Sequence, residues 1–236
     1  MKVALTLAYN GKDYFGSQIQ KETPKTILGT LTQVLHKLSI DDKIIASGRT
    51  DKGVHASGQV CHLNLPKHWS DLERLKTVLN RMLPSSIIIK KIQKVDDDFH
   101  ARYSAKKRVY RYIIKAEESN PFESDFVTFL PNAAIANIEK NIALFEGEHD
   151  FSGFMKHGSD VHSTVRCIYK AYAYRYKDYS IVYFEANGFL RSQIRLMVGA
   201  LLNLDAQKIQ EQLLLQKKHK IKPAPPNGLY LAKIKY

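Results

Sequence analysis

Hydrophobic and polar residues alternate along some short stretches of this chain and recur at helical spacing along others. The first stretch, Val3 to Tyr9, places large apolar residues at every second position, which is typical of a β-strand. Thr23-Pro24 precedes apolar residues spaced three and four positions apart, which predicts a helix that is capped at Thr23. The segment Ser70 to Glu73, SDLE, has the form of a capping box and predicts the start of a second helix.

The order of predicted elements is the same in the two halves of the chain. Both halves approximate β-α-β-β-α-β, the split βαβ pattern. We therefore predict an α+β fold of two ferredoxin-like, RRM-like halves, with antiparallel sheets, helices on one face and the other face open to a ligand. The segment DDDFHARYSAKK is the predicted junction, which gives an N-terminal half of residues 1–98 and a C-terminal half of residues 99–236. The remaining strands are predicted at KIIAS, GQVCHLNL, SIIIKKIQKV, RVYRYII, CIYKAYAYRY, SIVYFEA and LYLAKIKY, and further helices from Ile135 and from about Gly188.

Charge changes this picture of an ordinary globular chain. The 36 Lys and Arg residues exceed the 23 Asp and Glu residues, giving a net charge of +13 and an isoelectric point near 9.6. An excess of this size favours a polyanionic partner, either nucleic acid or an anionic membrane surface. The predicted helices carry ordinary core stripes rather than a lysine-rich face with a large apolar side, so we do not expect a membrane partner.

Targeting and cysteine signals are weak. The N-terminus alternates and then breaks at Asn10-Gly11, which favours a strand and turn over a signal peptide, and no apolar run approaches the roughly 20 residues that cross a bilayer. Cys61 and Cys167 lie far apart without a CxxC context, so neither a disulfide framework nor a zinc site is indicated. We therefore expect a cytoplasmic protein.

Metal and nucleophile patterns are also weak. His157, Asp160 and His162 could serve as metal ligands, but they lack the helical H-E-x-x-H register. The acidic run Asp96 to Asp98 fits a solvated turn better than a magnesium site. No G-x-S-x-G elbow and no P-loop occurs in the sequence.

The segment from Phe99 to Lys115 is basic and aromatic. It contains six Lys or Arg residues, no acid, and the tyrosines Tyr103, Tyr110 and Tyr112. Cations interleaved with aromatic rings are typical of surfaces that hold phosphates and stack unpaired bases. A strand whose tyrosines pack on the core would give the same pattern, and Tyr110 and Tyr112 share one face of such a strand.

A second basic region is GFLRSQIRLMVGALL, which predicts a helix with two arginines beside its buried stripe. Arg191 and Arg195 are spaced i, i+4 near the positive end of the helix dipole, where like charges repel each other. An anion between or beside them, a phosphate or a buried carboxylate, would relieve this repulsion; two arginines facing water are the alternative. The tail KKHKIKPAPPNGLYL is predicted to be an exposed, semi-rigid connector to the last strand.

The stretch SGRTDKGVHASGQV, from Ser47 to Val60, places a carboxylate in a basic turn. Arg49 and Lys52 flank Asp51 and favour its ionised form, and the surrounding glycines allow a tight turn with close approach to the backbone. An Asx turn that joins two strands is the simplest structural reading of these residues.

The run GRTDKGVHASGQV resembles the signature of the tRNA pseudouridine synthase A (TruA) family. Other segments are similar to that family in the same order along nearly the whole chain: YNGKDYFGSQIQ, DFHARYSAKKRVYRYII, ANGFLRSQIRLMVG and PPNGLYL. The resemblance implies a cofactor-free isomerase, with no metal, that converts uridine to pseudouridine in the tRNA anticodon stem-loop, at tRNA positions 38, 39 and 40. A non-catalytic RNA-binding module of the same fold is the alternative, and it would not need Asp51 beside Arg195.

The resemblance also implies roles for individual residues. Asp51 is expected to be the catalytic nucleophile or base, with Arg195 paired to it and Arg49 beside it. Tyr110 is expected to lie against the target base, and Leu229 to line the pocket. The expected tRNA-binding residues are Lys52, Phe99, His100, Ala101, Arg102, Tyr103, His162, Ser163, Thr164, Val165, Arg166 and Arg191.

The family pattern further implies a homodimer in which one tRNA can touch both subunits. The chain departs from that pattern at two places. Ser17 stands where the family commonly has Trp, and Arg191-Ser192-Gln193 stands where two histidines are common. These departures concern the details of tRNA contact, since Asp51, Tyr110 and Arg195 are all present.

Overall fold

The computed structural model describes residues 1–130, 132–156, 158 and 161–236. Its strands and helices, in chain order, are β1 (Lys2–Tyr9), α1 (Ile27–Lys37), β2 (Ile45–Ala46), β3 (His55–Asn64), α2 (Leu72–Met82), β4 (Ile87–Lys94), β5 (Lys107–Lys115), β6 (Thr128–Phe129), α3 (Asn132–Asn141), β7 (Gly147–Asp150), β8 (Val165–Tyr176), β9 (Tyr179–Ala186), α4 (Gln193–Asn203), α5 (Ala206–Leu213) and β10 (Leu229–Lys235). The α+β class predicted from the sequence is confirmed.

The chain divides into two compact units, Met1–Lys106 with Tyr230–Tyr236, and Lys107–Leu229. This division differs from the predicted one after Asp98, because the turn that follows Asp98 is bound to the first unit. The Ala101 N–H donates to His62 Nδ1 (3.1 Å), and the Tyr236 hydroxyl donates to the Ala101 carbonyl (2.9 Å). The last seven residues likewise belong to the first unit rather than the second.

The first unit follows the predicted β-α-β-β-α-β order. Its strands run in the spatial order β4-β1-β3-β10, with β2 also on β3. Strand β1 is antiparallel to both of its neighbours, and β10 is parallel to β3, pairing Tyr230 with His55. Along β4, Ile87, Ile89 and Ile92 are buried while the residues between them face solvent, so this strand packs one face on the core.

Both predicted helix starts of the first unit are wrong by one turn or less. Helix α1 is capped by Thr26, whose Oγ1 accepts the Gly29 N–H, whereas Thr23 Oγ1 accepts the Lys25 N–H in the turn before it. Helix α2 is capped by Asp71 rather than Ser70. In each case the residue with a side-chain oxygen nearest the first helical residue provides the cap.

The second unit has the spatial strand order β7-β8-β9-β5, with β6 parallel to β5. One face of this sheet is the core, where Tyr112, Ile114, Val182 and Phe184 are almost fully buried. Helix α3 packs on α4 and on β8. In the described part of the chain, no helix has both the length and the apolar character that a membrane crossing requires.

Helix α4 begins at Gln193, later than the predicted start near Gly188. Ser192 adopts a left-handed conformation (φ 60°), which separates Arg191 from the helix. The predicted i, i+4 helical spacing of Arg191 and Arg195 is therefore wrong, although the predicted apolar stripe is buried as expected: Leu190, Ile194, Met197, Val198 and Leu201.

The C-terminal tail exposes its lysine side chains, as the sequence predicts, but its main chain packs on helix α4 rather than running through solvent. A Cβ atom at Gly199 would lie 2.1 Å from the Lys222 carbonyl oxygen, so the tail runs directly against helix α4. Ala224 is buried, and its N–H donates to the Arg195 carbonyl (2.8 Å). The lysines and prolines of this segment suggested a solvated chain, and no sequence signal indicated that its main chain packs closely on a small residue of α4.

Candidate active site

Asp51 lies in the loop between β2 and β3, and this loop is held by the strand that follows it. The Ser47 hydroxyl donates to Gln59 Oε1 (2.6 Å), and Gln59 Nε2 donates to the Gly48 carbonyl (2.9 Å). The Ser47 N–H also donates to the Val60 carbonyl (2.8 Å). The buried Gln59 side chain thus fixes the entrance of the loop.

The residue before Asp51 is clamped from a different part of the chain. The Thr50 N–H donates to Ser17 Oγ (2.8 Å), and the Ser17 N–H donates to the Thr50 carbonyl (3.1 Å). The Thr50 hydroxyl shares a hydrogen bond with the Tyr9 hydroxyl (2.9 Å), and burial raises the pKa of this phenol well above its usual range. These bonds fix both main-chain polar groups of Thr50, so the position of the Asp51 backbone follows from them.

The clamp is itself attached to helix α1. The Ile27 N–H donates to the Gly16 carbonyl (3.2 Å), and the Leu28 N–H donates to the Ser17 carbonyl (3.0 Å). The first-turn N–H groups of a helix need such partners. A rigid element is therefore linked through Gly16 and Ser17 to the Asp51 loop, and Ser17 has a structural role at the position where the family commonly has Trp.

Two glycines permit this close packing. Gly16 has φ +97°, and a Cβ atom there would lie 2.8 Å from the Thr50 carbonyl oxygen. Gly53, two residues after Asp51, has φ +78° and is buried. Left-handed backbone of this kind favours glycine, which explains the punctuation of the GRTDKG stretch.

His55 closes the loop on its far side. The fully buried ring accepts the Gly11 N–H at Nδ1 (3.0 Å) and stacks on Tyr230, with ring centroids 4.8 Å apart. Because Nδ1 accepts a hydrogen bond, it carries the lone pair rather than a proton. His55 therefore holds the loop in place and is not a free base in solvent.

The loop presents its charged residues toward solvent. Asp51 is half-buried, while Arg49 and Lys52 are exposed. Lys52 Nζ lies 4.3 Å from the centroid of the Phe15 ring, a cation–π contact at an exposed aromatic residue. The Asp51 side chain, two cations and an exposed ring thus share this corner of the first unit.

In the second unit, Tyr110 lies on β5 and is buried. Its ring meets that of Phe189 edge to face, with centroids 5.2 Å apart. Tyr112, two residues along the same face of the strand, donates from its hydroxyl to the Pro225 carbonyl (2.9 Å) and shares a hydrogen bond with the Thr128 hydroxyl (2.8 Å). Both tyrosines are therefore buried, the hydroxyl of Tyr112 anchors the C-terminal tail, and the expected contact of Tyr110 with the target base stays a prediction.

Arg195 is oriented by the same tail. Its Nε donates to the Ala224 carbonyl (2.7 Å), which fixes the plane of the guanidinium. Burial raises the pKa of the Tyr112 phenol, and the charge of Arg195 opposes this shift. Leu229 is buried at the end of the tail, where its N–H donates to the Pro226 carbonyl (3.0 Å).

The structure therefore brings Arg195, Tyr112 and the tail that ends at Leu229 together within the second unit. Asp51 belongs to the first unit, and so its pairing with Arg195 stays a prediction. The sequence signals gave no indication of Ser17, Thr50 or Gln59 as the frame of the Asp51 loop.

The second departure from the family pattern also has a structural explanation. Gln193 is fully buried, its Oε1 accepts the Leu190 N–H (2.8 Å), and its Nε2 lies 3.6 Å from Met197 Sδ. The glutamine thus stabilises the first turn of α4. Arg191, two residues earlier, is exposed.

The predicted tRNA-contact segment of the first unit forms an exposed aromatic stack. The His100 ring stacks on Tyr103 (4.3 Å between centroids), the Arg102 guanidinium lies 5.7 Å from the Tyr103 ring, and Tyr103 is 77% exposed. Ala101 is fully buried, so it anchors the turn through its main chain, and Phe99 packs against the Tyr236 ring.

The predicted contact segment of the second unit leads into β8. His162, Ser163 and Val165 are exposed, and Thr164 and Arg166 are half-buried. His157 and Asp160 lie outside the described residues. Among the residues that the structure describes, no group of three or more His, Cys, Asp or Glu is arranged to hold a metal ion.

Comparison with known proteins identifies the family. The family model for tRNA pseudouridine synthase matches residues 6–104 and 142–236. The tRNA pseudouridine synthase A of Campylobacter jejuni subsp. doylei is 39% identical over 100% of both chains. The chain belongs to the tRNA pseudouridine synthase family. Asp51 and Arg195 fall inside the stretches that the family model matches, whereas Tyr110 falls between them.

Other family members give the same result over almost the full length. The tRNA pseudouridine synthase A of Wolinella succinogenes is 39% identical over 98% of this chain and 92% of its own, and that of Helicobacter hepaticus is 38% identical over 98% and 97%. A chain in the crystal structure of the archaeal box H/ACA sRNP Nop10-Cbf5 complex is distantly similar, with a TM-score of 0.36 and 9% identity over 85% of this chain and 44% of that chain. The family assignment depends on the sequence matches.

Proposed function

We propose that this protein is a tRNA pseudouridine synthase that isomerises uridine to pseudouridine in the anticodon stem-loop, with Asp51 as its catalytic carboxylate. The observation that carries the proposal is the Asp51 loop itself. Its main chain is fixed by Ser17 and Gln59, and the strand that follows it begins at His55, which is bound to Gly11, while its acid lies half-buried between two exposed cations. A turn that only joined two strands would not need a frame of buried hydrogen bonds from two separate parts of the chain.

The chemistry suits a single carboxylate. The bond between the sugar C1′ and the uracil N1 breaks, the uracil turns, and a bond forms between C1′ and C5. The C5 hydrogen leaves as a proton, and N1 gains a proton, so the product is an isomer of the substrate. Breaking a glycosidic bond builds positive charge on the sugar, which a nearby carboxylate stabilises or traps.

Asp51 serves this reaction as a nucleophile toward the sugar or the base, or as the base that removes a sugar proton. The departing uracil is itself the group that is reattached, so no water has to be activated and no second carboxylate is required. No electrons or external groups are exchanged, and the proposal therefore includes neither a cofactor nor a metal.

Arg195 and Arg49 have electrostatic roles in this proposal. Arg195 pairs with Asp51 and orients it, and the hydrogen bond from Arg195 Nε to the Ala224 carbonyl fixes the plane of the guanidinium for that pairing. Arg49 adds positive charge beside Asp51 in the same loop. Tyr110 lies against the uracil, and Leu229 lines the pocket.

The tRNA must present its uridine outside the base stack, which costs a few kcal/mol. Exposed rings and cations supply the compensating contacts. The stack of His100, Arg102 and Tyr103 offers such a platform, and Lys52 offers a phosphate contact beside Asp51. The other contacts of this proposal are the segment 162–166 and Arg191.

We extend the proposal to a homodimer, for which the strands of the second unit offer a surface. The residues opposite the core face form three cross-strand rows, which we call the tyrosine face: Arg111, Tyr183 and Tyr172; Ile113, Ile181 and Tyr174; Lys115, Tyr179 and Tyr176. Its middle row is apolar, and the rings of Tyr172 and Tyr176 are exposed. Aromatic rings are enriched at protein interfaces, so this exposure favours a protein partner. An apolar centre suits a second copy of this chain better than a phosphate backbone.

Light scattering tests the dimer directly. The wild type is expected to have twice the mass of one chain, and Tyr172→Lys is expected to shift it toward the monomer. Wild-type mass with tRNA affinity lost in Tyr172→Lys would make the tyrosine face an RNA surface instead.

We also place the enzyme in the cytoplasm, where its tRNA substrate is found.

Tritium release tests the function. A full set of tRNAs carrying uridine labelled at C5 is incubated with the protein, and tRNA binding is measured in parallel. Moving the glycosidic bond to C5 expels the label, so release reports the isomerisation itself. Binding without release would leave the non-catalytic RNA-binding module and refute the enzyme.

A further inference from the structure

Two arginines of the second unit lie at the same end of its sheet. Ala186 of β9 pairs with Arg108 of β5 on one side and with Ile168 of β8 on the other. Arg166 is two residues before Ile168. The two arginines therefore flank the point where β9 ends and the chain continues as Asn187.

Main-chain carbonyls orient both guanidiniums. Arg108 Nη1 donates to the Asn187 carbonyl (2.7 Å), and Arg166 Nη1 donates to the carbonyls of Ser163 (2.9 Å) and Val165 (2.6 Å). Asn187 is itself fixed, since its Oδ1 accepts the N–H of the residue after Arg166 (3.1 Å). Neither side chain is a loose surface arginine, and both are half-buried.

Holding these two cations together has an electrostatic cost. Burial lowers the pKa of Arg166, and the nearby charge of Arg108 lowers it further. A pair of fixed guanidiniums recovers this cost when an anion binds to both, and phosphate oxygens match the planar donor geometry of arginine.

We propose that Arg108 and Arg166 together bind one backbone phosphate of the RNA substrate. The inference rests on the proposed function and adds Arg108 to the RNA-binding surface. Arg166 lies in the segment where contact was already expected, and Arg108 lies in the basic segment from Phe99 to Lys115 but was not itself among the expected contacts. The phosphate bound here positions the RNA and carries no sequence information.

Charge-removing variants test the clamp. Arg108→Gln, Arg166→Gln and the double variant are compared with Arg175→Gln, which removes the same charge from an exposed side chain of β8 that pairs loosely with Glu139 (3.7 Å). Binding of unmodified tRNA is measured by filter retention over a range of salt concentrations, and tritium release gives kcat and KM. Thermal melting of each variant verifies that it is folded.

Each single clamp variant is expected to bind tRNA about tenfold more weakly, as for the loss of a charge-assisted hydrogen bond. Its plot of log affinity against log salt should be shallower than that of the wild type, by at most about one. The double variant should lose less than the product of the two single losses, because both arginines bind the same phosphate. KM should rise while kcat is kept, and Arg108→Lys should recover part of the affinity.

Wild-type affinity and salt slope in folded Arg108→Gln would overturn the clamp. An equal loss in Arg175→Gln would also overturn it, because the effect would then come from net charge alone. Failure of the proposed function has a different signature, namely a wild type that binds tRNA but releases no tritium.

Discussion

Ser17→Ala tests whether the frame around Asp51 matters for the reaction. Ser17 Oγ accepts the Thr50 N–H at 2.8 Å, and the exposed fractions of the two residues are only 1% and 7%. Removing the oxygen leaves a buried N–H without its partner, which costs about 1–3 kcal/mol. If the loop keeps its position the cost appears in the free energy of unfolding, and if the loop shifts the cost appears in the reaction.

We expect the second outcome to dominate, because the loop can move and expose the Thr50 N–H to water. A loss of 1–3 kcal/mol in the transition state corresponds to a decrease in kcat of roughly 5- to 150-fold. The assay is tritium release at saturating tRNA, with urea unfolding of the same samples. Ser57→Ala is the matched control, since that exposed hydroxyl makes a single long bond of 3.4 Å to a carbonyl.

Wild-type kcat and wild-type stability in Ser17→Ala would show that the Ser17–Thr50 hydrogen bond does not support the Asp51 loop. Equal losses in Ser17→Ala and Ser57→Ala would refute this supporting role as well, because the buried clamp would then have no special role. An increase in KM with unchanged kcat would also contradict this role, since the clamp positions Asp51 rather than the tRNA.

Three further predictions follow from the described contacts. Gly16→Ala should lower both the stability measured by urea unfolding and kcat, because an added Cβ would lie within 3 Å of backbone. Gly158 also has positive φ but has no atom within 4 Å of an added Cβ, so Gly158→Ala should lower stability by at most about 1–2 kcal/mol. Tyr112→Phe removes the hydroxyl that holds the C-terminal tail and should cost about 1–2 kcal/mol of stability with a fall in kcat, both absent if the tail is held elsewhere. His62 accepts the Ala101 N–H, and burial, His100 and Lys2 lower the pKa of its ring in the folded protein. The unfolded chain therefore binds a proton at His62 more readily than the folded protein does, so the melting temperature should fall between pH 7 and pH 5. His62→Asn should reduce that fall.

Local sequence patterns predicted much of this fold because the signals are local. Alternation in β1 and β4 and the apolar stripe of α4 follow from burial on one face, and the structure has these elements where the pattern indicates them. The predicted cap residues differ from the observed ones because several Ser, Thr and Asp residues near each helix start could act as the N-cap. Only the backbone geometry selects Thr26 and Asp71.

What the sequence could not reveal depends on contacts between distant residues. Ser17 and Thr50 lie in two separately recognisable motifs, and nothing in either motif predicts that they exchange two hydrogen bonds. The tail looked polar because its lysine side chains are charged, yet its main chain packs on Gly199. Arg108 likewise became a candidate phosphate contact only when the sheet register placed it at the end of β9 near Arg166.

Tritium release by Asp51→Asn is the first measurement to make, because it tests whether Asp51 is the catalytic carboxylate. The comparison protein is Asp41→Asn, which removes the same charge from an exposed residue before β2. We expect the wild type and Asp41→Asn to release tritium from C5-labelled tRNA, while Asp51→Asn binds the tRNA and releases none. Release by Asp51→Asn at the wild-type rate would contradict the assignment of Asp51 as the catalytic carboxylate.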